Sequence, residues 1–401
     1  MASSRYLTAA QVAAALGISR SSVYAYVSRG RVRAYPHPSD YRASVYSAAD
    51  VETLRKRKEA RRNPEVAAKE NLAWGMPVLE SSITLIRDGR LYYRGRDVVT
   101  LAAHATFEEV AALLWHGDDR PAPIRFPGFG VANLPDHRPM TAIARMQSML
   151  PLIAARDRNA SDTSRAAVAR AGRRIVGALT MASAPRCGHR GPVAMRLAQA
   201  WRRQHPHVER ALNLVLTVCA DHELNASTFA VRVVASAGAS PYDAVAAGLA
   251  ALRGFRHGGD TERVEDLLDE VAPRPASFAR VLAKRSREGT ATPGFGHPLY
   301  PDGDPRAAAM MELIALHWPD TSAAAVVAAI HAQRDEQPVE YPNLDFGLVL
   351  LRRAVGLPRG AALALFALGR SVGWIAHALE QYETAQLIRP RALYAGPRPI
   401  D

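Results

Sequence analysis

Four short segments set histidine or aspartate beside tight glycine or proline turns: ADHELNAST (220–228), GFRHGGDTERV (254–264), ATPGFGHPLYPDGDPRA (291–307) and YPNLDFGLVLL (341–351). Two arginine-bearing segments follow, GRSVGWIAHALE (369–380) and IRPRALYAGP (388–397). Imidazole and carboxylate are the usual carriers of protons in catalysis. Planar guanidinium groups hold carboxylates in a two-pronged grip. The set therefore contains the residue types that acid–base chemistry uses. Taken singly, each member has an ordinary alternative: a satisfied core histidine for His222, a helix cap for Asp345, a surface charge for Arg370.

The elements that must position these residues are mostly helices. SITLIRDGRLYYRG (82–95) carries two β-prone runs around Asp88-Gly89 and predicts a hairpin. From Thr106 onward the pattern is helical, beginning with TFEEVAALLWHG, where Thr106 and Glu109 form a capping box and Gly117 ends the helix. Pro/Gly-rich loops interrupt the helices at 118–139, 292–306 and 335–343. The sequence GFGVAN (128–133) has no strand before it and no third glycine, so it is not a dinucleotide fingerprint.

The N-terminal stretch is different. YLTAAQVAAALGISRSSVYAYVSRGRVRAY (6–35) has apolar residues at Leu7, Val12, Ala15 and Leu16; a turn at Gly17 and a cap at Ser19 or Ser21 precede a second helix with Val23, Tyr26 and Val27. This pattern, with the RVRAYPHPSDYRASVYSAADVETLRKRKEARR that follows, resembles excisionase-like winged helix-turn-helix domains. The resemblance implies a second helix in the DNA major groove, with Arg20, Ser21, Ser22, Tyr24 and Arg29 near DNA. A small helical module for protein contacts is the alternative.

Charge agrees with a polyanion partner. The net charge is +13, and residues 1–70 hold 13 Lys/Arg against 6 Asp/Glu, a balance of +7. The arginine bias of a GC-rich genome would also raise the charge. With 401 residues and 48% hydrophobic content the chain is long enough for two or three domains. Two cysteines, Cys187 and Cys219, exclude a disulfide framework, and no CxxC pair indicates a metal. No secretory signal is visible, and FGLVLLRRAVGLPRGAALALFALGR is broken by Arg352, Arg353, Pro358 and Arg359. These features predict a soluble cytoplasmic protein with no membrane partner.

Together, ADHELNASTFAVRVVAS, HGG, PGFGHPLYPDGDPRA, YPNLDF and RSVGWIAH, in this order, resemble citrate synthase, as does LYYRGRDVVTLAAHATFEEVAALLWHG nearer the start. The resemblance spans about 78 to 397. It implies a mainly α, two-domain helical fold with a small β-hairpin, preceded by the winged helix-turn-helix module. The expected organisation is a module at 1–62, a linker at 63–77, a large domain at 78–256 and 357–401, and a small domain at 257–356.

The resemblance also implies the chemistry: condensation of acetyl-CoA with oxaloacetate and water to give citrate and coenzyme A. By resemblance Asp345 is the base that takes a proton from the acyl methyl, His257 the donor to the enol oxygen, and His297 the group that polarises the ketone. A helix starting after Gly258-Gly259, capped by Asp260 or Thr261, would keep His257 neutral. His222, Arg306, Arg370 and Arg389 would hold the keto acid, with Arg389 contributed by the other subunit of a homodimer with shared sites. Pro293, Gly294 and Gly296 would meet the coenzyme. No metal and no permanently bound cofactor is implied; the coenzyme A thioester is a co-substrate. Two further readings remain open: a 2-methylcitrate synthase using propionyl-CoA, and a DNA-binding regulator that senses these ligands.

Overall fold

The computed structural model describes residues 6–37, 40–48, 50–52, 54–55, 79–117, 122–128, 140–184, 186–271, 274–334, 340–392 and 394–397. The expected linker at 63–77 lies outside them. The chain divides into two compact units, Met1–Glu80 and Ser81–Asp401.

In the first unit, Thr8 starts α1 (Ala9–Leu16) through a capping box with Gln11, and Gly17 ends it in the left-handed conformation. Of the two serines expected to cap, Ser19 does so, accepting the Ser22 N–H at the start of α2 (Arg20–Ser28). Three antiparallel strands follow the order β1-β3-β2: β1 (Tyr6–Thr8), β2 (Ala34–His37) and β3 (Asp40–Ser47). Val12, Leu16, Val23, Val32, Tyr46 and Val51 form the core. Asp50 accepts both the backbone N–H and the guanidinium of Arg33, tying the helical backbone at 50–52 to the strand region. The unit is a winged helix-turn-helix.

The second unit begins with the expected hairpin. β4 (Thr84–Arg87) and β5 (Arg90–Tyr93) join through Asp88 and Gly89, whose φ values of 51° and 72° fit a type I′ turn; β6 (Arg96–Asp97) adds a third strand. Helices follow: α3 (Val98–His104), α4 (Phe107–His116), α5 (Ala142–Ala154), α6 (Arg165–Ser183), α7 (Val193–Ala200), α8 (Val208–Cys219), α9 (Ala226–Ser236), α10 (Pro241–Leu252), α11 (Asp260–Val271), α12 (Phe278–Arg287), α13 (Pro305–His317), α14 (Ser322–Arg334), α15 (Leu344–Val355) and α16 (Ala361–Thr384). The Thr106/Glu109 capping box and the Gly117 stop are both present on α4.

The last helix is the axis of the unit, packing against α4, α6, α8, α9 and α10, while α11–α15 pack mainly on one another. Among the described residues α16 alone has the length and composition of a membrane span, and its most apolar window is wholly buried within the fold. It fits so closely because it carries Gly373: a Cβ there would lie 2.2 Å from the carbonyl oxygen of Ala220. The Gly373 N–H instead donates to that oxygen at 2.9 Å. This contact sets the end of α8, and with it His222, against α16.

Candidate active site

The corner between α8 and α9 is fixed from three sides. Tyr93 Oη accepts the Asp221 N–H at 2.9 Å, Thr84 donates to Asp221 Oδ2 at 2.6 Å, and buried His377 lies 3.3 Å from the same oxygen. His222 follows on this corner, buried, with Nε2 3.0 Å from Tyr300 Oη. Its ring meets that of His297 edge-on at 5.2 Å. Burial, and the neighbouring Arg306 and Arg370 guanidiniums, hold the His222 imidazole well below its ordinary pKa.

Arg370 is buried on α16. Its Nε donates to the Cys219 carbonyl at 2.8 Å, and its Nη1 is enclosed with no hydrogen-bond partner among the described residues. Such an atom is costly to leave unmatched and is a ready donor for a ligand carboxylate. Arg306, also buried, forms a two-pronged pair with Asp304 at 2.9 and 2.7 Å, and its guanidinium lies 5.3 Å from the Tyr300 ring centre. Asp304 in turn caps α13 and accepts the Leu344 N–H at 3.1 Å, so the guanidinium and the start of α15 share one anchor.

Asp345 sits in the first turn of α15, two residues after its cap, Asn343, so the cap alternative falls to Asn343. Its Oδ1 is enclosed and has no hydrogen-bond partner among the described residues. Burial, and then the negative charge of Asp260, push the Asp345 carboxyl up to about 8. A carboxylate released under those conditions is an unusually strong base.

The segment with His257 leads directly into α11, but its side chains differ from the expected caps. Asp260 is the first helical residue and accepts the Gly294 N–H at 3.0 Å, while Thr261 Oγ1 donates to the Gly258 carbonyl at 2.8 Å. Each side chain thus makes a contact to a residue outside the helix. His257 Nε2 lies 2.8 Å from Ser227 Oγ. Its pKa is pulled down to about 3, by burial first and by Arg370 second, so the ring is neutral at physiological pH. His297 is held at about 4 by burial and Arg306, and its Nδ1 accepts the Leu299 N–H at 3.2 Å, which puts the ring proton on Nε2.

The fold thus gathers His222, His257, His297, Arg306, Arg370 and Asp345 with the Pro293–Gly296 turn. Arg389 stands apart: it is exposed on the extended stretch after α16, and among the described residues no hydrogen bond or ion pair joins it to the others. Ser227, Tyr300 and Asp304 are neighbours of these groups that sequence reasoning did not single out, and Asp260 was expected only as a cap, although all lie inside the segments that drew attention.

The fold and this site define an acyltransferase-type enzyme. The family model "Citrate synthase, C-terminal domain" matches residues 72–123 and 129–391. Citrate synthase 2 of Bacillus subtilis (strain 168) is 30% identical over 367 residues, covering 80% of this chain and 95% of that protein. Citrate synthase of Haloferax volcanii is 30% identical, covering 82% and 96%. Among solved structures, citrate synthase from Thermoplasma acidophilum, in a ternary complex with carboxymethyl coenzyme A and oxaloacetate, is similar at a TM-score of 0.70 and 26% identity, covering 83% of this chain and 97% of that one. The chain belongs to the citrate synthase family.

At the other end, a helix-turn-helix domain model matches residues 6–58. On α2, Arg20, Ser21 and Tyr24 are exposed, as is Arg29 just beyond it; Ser22 is half-buried, with Oγ 2.8 Å from Ser19 Oγ.

Proposed function

We propose that this chain condenses acetyl-CoA with oxaloacetate and water, giving citrate and free coenzyme A, in the cytoplasm and as a homodimer with shared sites. The observation that carries the reading is the neighbourhood of Asp345: a carboxyl raised to about 8 with an enclosed oxygen, in the region that also holds neutral imidazoles and two buried guanidiniums. The Asp345 carboxylate takes a proton from the acyl methyl as that C–H bond breaks. His257 donates to the thioester oxygen, which becomes the enol. The enol carbon attacks the keto carbon while His297 donates from Nε2 to the ketone oxygen. Water then cleaves the thioester, releasing the thiol.

Arg306 and Arg370 hold the keto-acid carboxylates beside His222, and Arg389 of a second subunit completes the clamp. Coenzyme A enters as co-substrate along the Pro293–Gly296 turn, and no permanent cofactor takes part. Residues 257–356 act as a small domain that closes on 78–256 and 357–401 and shields the enol from water. The module at 1–62 binds DNA through the exposed Arg20, Ser21, Tyr24 and Arg29 about α2. The test is free-thiol release with oxaloacetate plus acetyl-CoA, run beside propionyl-CoA. Faster turnover of propionyl-CoA makes the product 2-methylcitrate; no thiol from either makes the fold a ligand sensor.

A further inference from the structure

Gly294 bridges two helix starts. Its N–H donates to Asp260 Oδ2 on the first residue of α11, and its carbonyl accepts the N–H of Asn343, the cap of α15, at 2.8 Å. The residue is wedged in place: a Cβ on it would lie 2.7 Å from Val264 Cγ2 and 2.9 Å from Phe346 Cβ, and its φ of +77° suits glycine. In sequence, His257 lies three residues before Asp260, His297 three after Gly294, and Asp345 two after Asn343. One residue therefore connects the segments that carry the three groups.

The charges around that bridge are uneven. Among the described residues, the charges that act most strongly on Asp345 are those of Asp260, Arg306 and Asp304. Arg306 and Asp304 form their own two-pronged pair and largely cancel each other, which leaves Asp260. Asp260 Oδ1 does pair with Arg263 at 2.9 Å, but the Arg263 side chain is 52% exposed and water screens it, whereas that of Asp260 is only 19% exposed.

We propose that Asp260 is a positioning residue of the condensing centre: it anchors the coenzyme-binding turn through Gly294 and supplies the negative charge that makes Asp345 a strong base. The inference rests on the reading of Asp345 as the proton acceptor. It separates two roles that substitution can resolve, since Asn keeps an acceptor for the Gly294 N–H and loses the charge, while Ala loses both.

In the full-length protein, Asp260→Asn should move the acid limb of kcat/KM for acyl-CoA to lower pH by at least about half a unit, with KM within about twofold of wild type. Asp260→Ala should make the same shift and raise KM for acyl-CoA about 10-fold. Arg263→Gln, at a half-exposed position, removes the partial counter-charge and should move the limb the other way. A readout independent of turnover is the thermal midpoint against pH. The folded Asp345 keeps its proton up to about 8, whereas an unfolded aspartate loses it near about 3.9. Stability is therefore lost as pH rises through that window. Asp345→Asn should remove this slope, and Asp260→Asn should confine it to lower pH. If the slope shifts but wild type releases no thiol, the condensation reading fails while the charge coupling stands. Superimposable profiles for wild type, Asp260→Asn and Arg263→Gln, in both measurements, overturn the proposal.

Discussion

Ser227 Oγ lies 2.8 Å from His257 Nε2, so one hydroxyl ties the His257 ring to the start of α9. Ser227 Oγ donates to Asn225 Oδ1 at 2.7 Å and receives the Trp374 Nε1 proton at 3.3 Å. Asn225 Oδ1 also receives the Ser227 and Thr228 N–H groups at 3.1 Å, so the cap of α9 fixes the hydroxyl and, through it, the ring. Ser227→Ala should lower kcat by roughly 10- to 100-fold and leave KM for the keto acid unchanged. Steady-state kinetics check it; a kcat within twofold of wild type would assign the positioning of the ring to another contact.

Asp345 gives a second expectation. A base whose carboxyl holds its proton up to about 8 is mostly protonated at neutral pH in the empty site. The kcat/KM for acyl-CoA should accordingly climb with pH and level off above about 8. Asp345→Ala should lower turnover by at least about 100-fold with little effect on keto-acid affinity measured by calorimetry. A profile flat from pH 6 to 9 would assign the rate-limiting proton transfer to another group.

Local rules were legible in the chain. Asp88-Gly89 specified its hairpin, the Thr106/Glu109 box its helix, and Gly17 its turn, because each depends on residues within a few positions. What escaped was long-range pairing. Tyr6–Thr8 reads as a helix approach, yet it pairs with β3 some 40 residues on, Tyr6 opposite Ser47, because the strand partner is set by packing. Asp260 has the position and chemistry of a helix cap; only the approach of Gly294, 34 residues away, turns its carboxylate outward. Asp304 likewise looked like part of a proline turn until its contact with Leu344 put it at the start of α15.

The N-terminal unit yields an expectation governed by salt. With Arg20, Tyr24 and Arg29 exposed about α2, binding to duplex DNA should weaken steeply as salt rises, since each neutralised phosphate releases counterions. Arg20→Ala with Arg29→Ala should reduce the slope of log affinity against log salt by about 2. Removal of 1–62 should leave thiol release largely intact. No retardation of any duplex at low salt, by protein with a folded module, would assign this face to protein contacts.

Arg389, proposed to join the clamp from a second subunit, is exposed beyond α16, while Arg370 and Arg306 are buried. A site completed by the Arg389 of a second subunit takes its base from one chain and part of its clamp from the other. Asp345→Ala and Arg389→Ala homodimers should then each be nearly inactive. In a mixed dimer one site inherits both lesions, and the other combines an intact Asp345 with an intact Arg389. Random pairing makes about half of the dimers mixed, each with one good site, so co-refolded mutants should recover roughly a quarter of wild-type activity. Mixing without subunit exchange should restore nothing. If co-refolded protein stays inactive although mass measurement finds mixed dimers, Arg389 acts within its own chain or outside the site altogether.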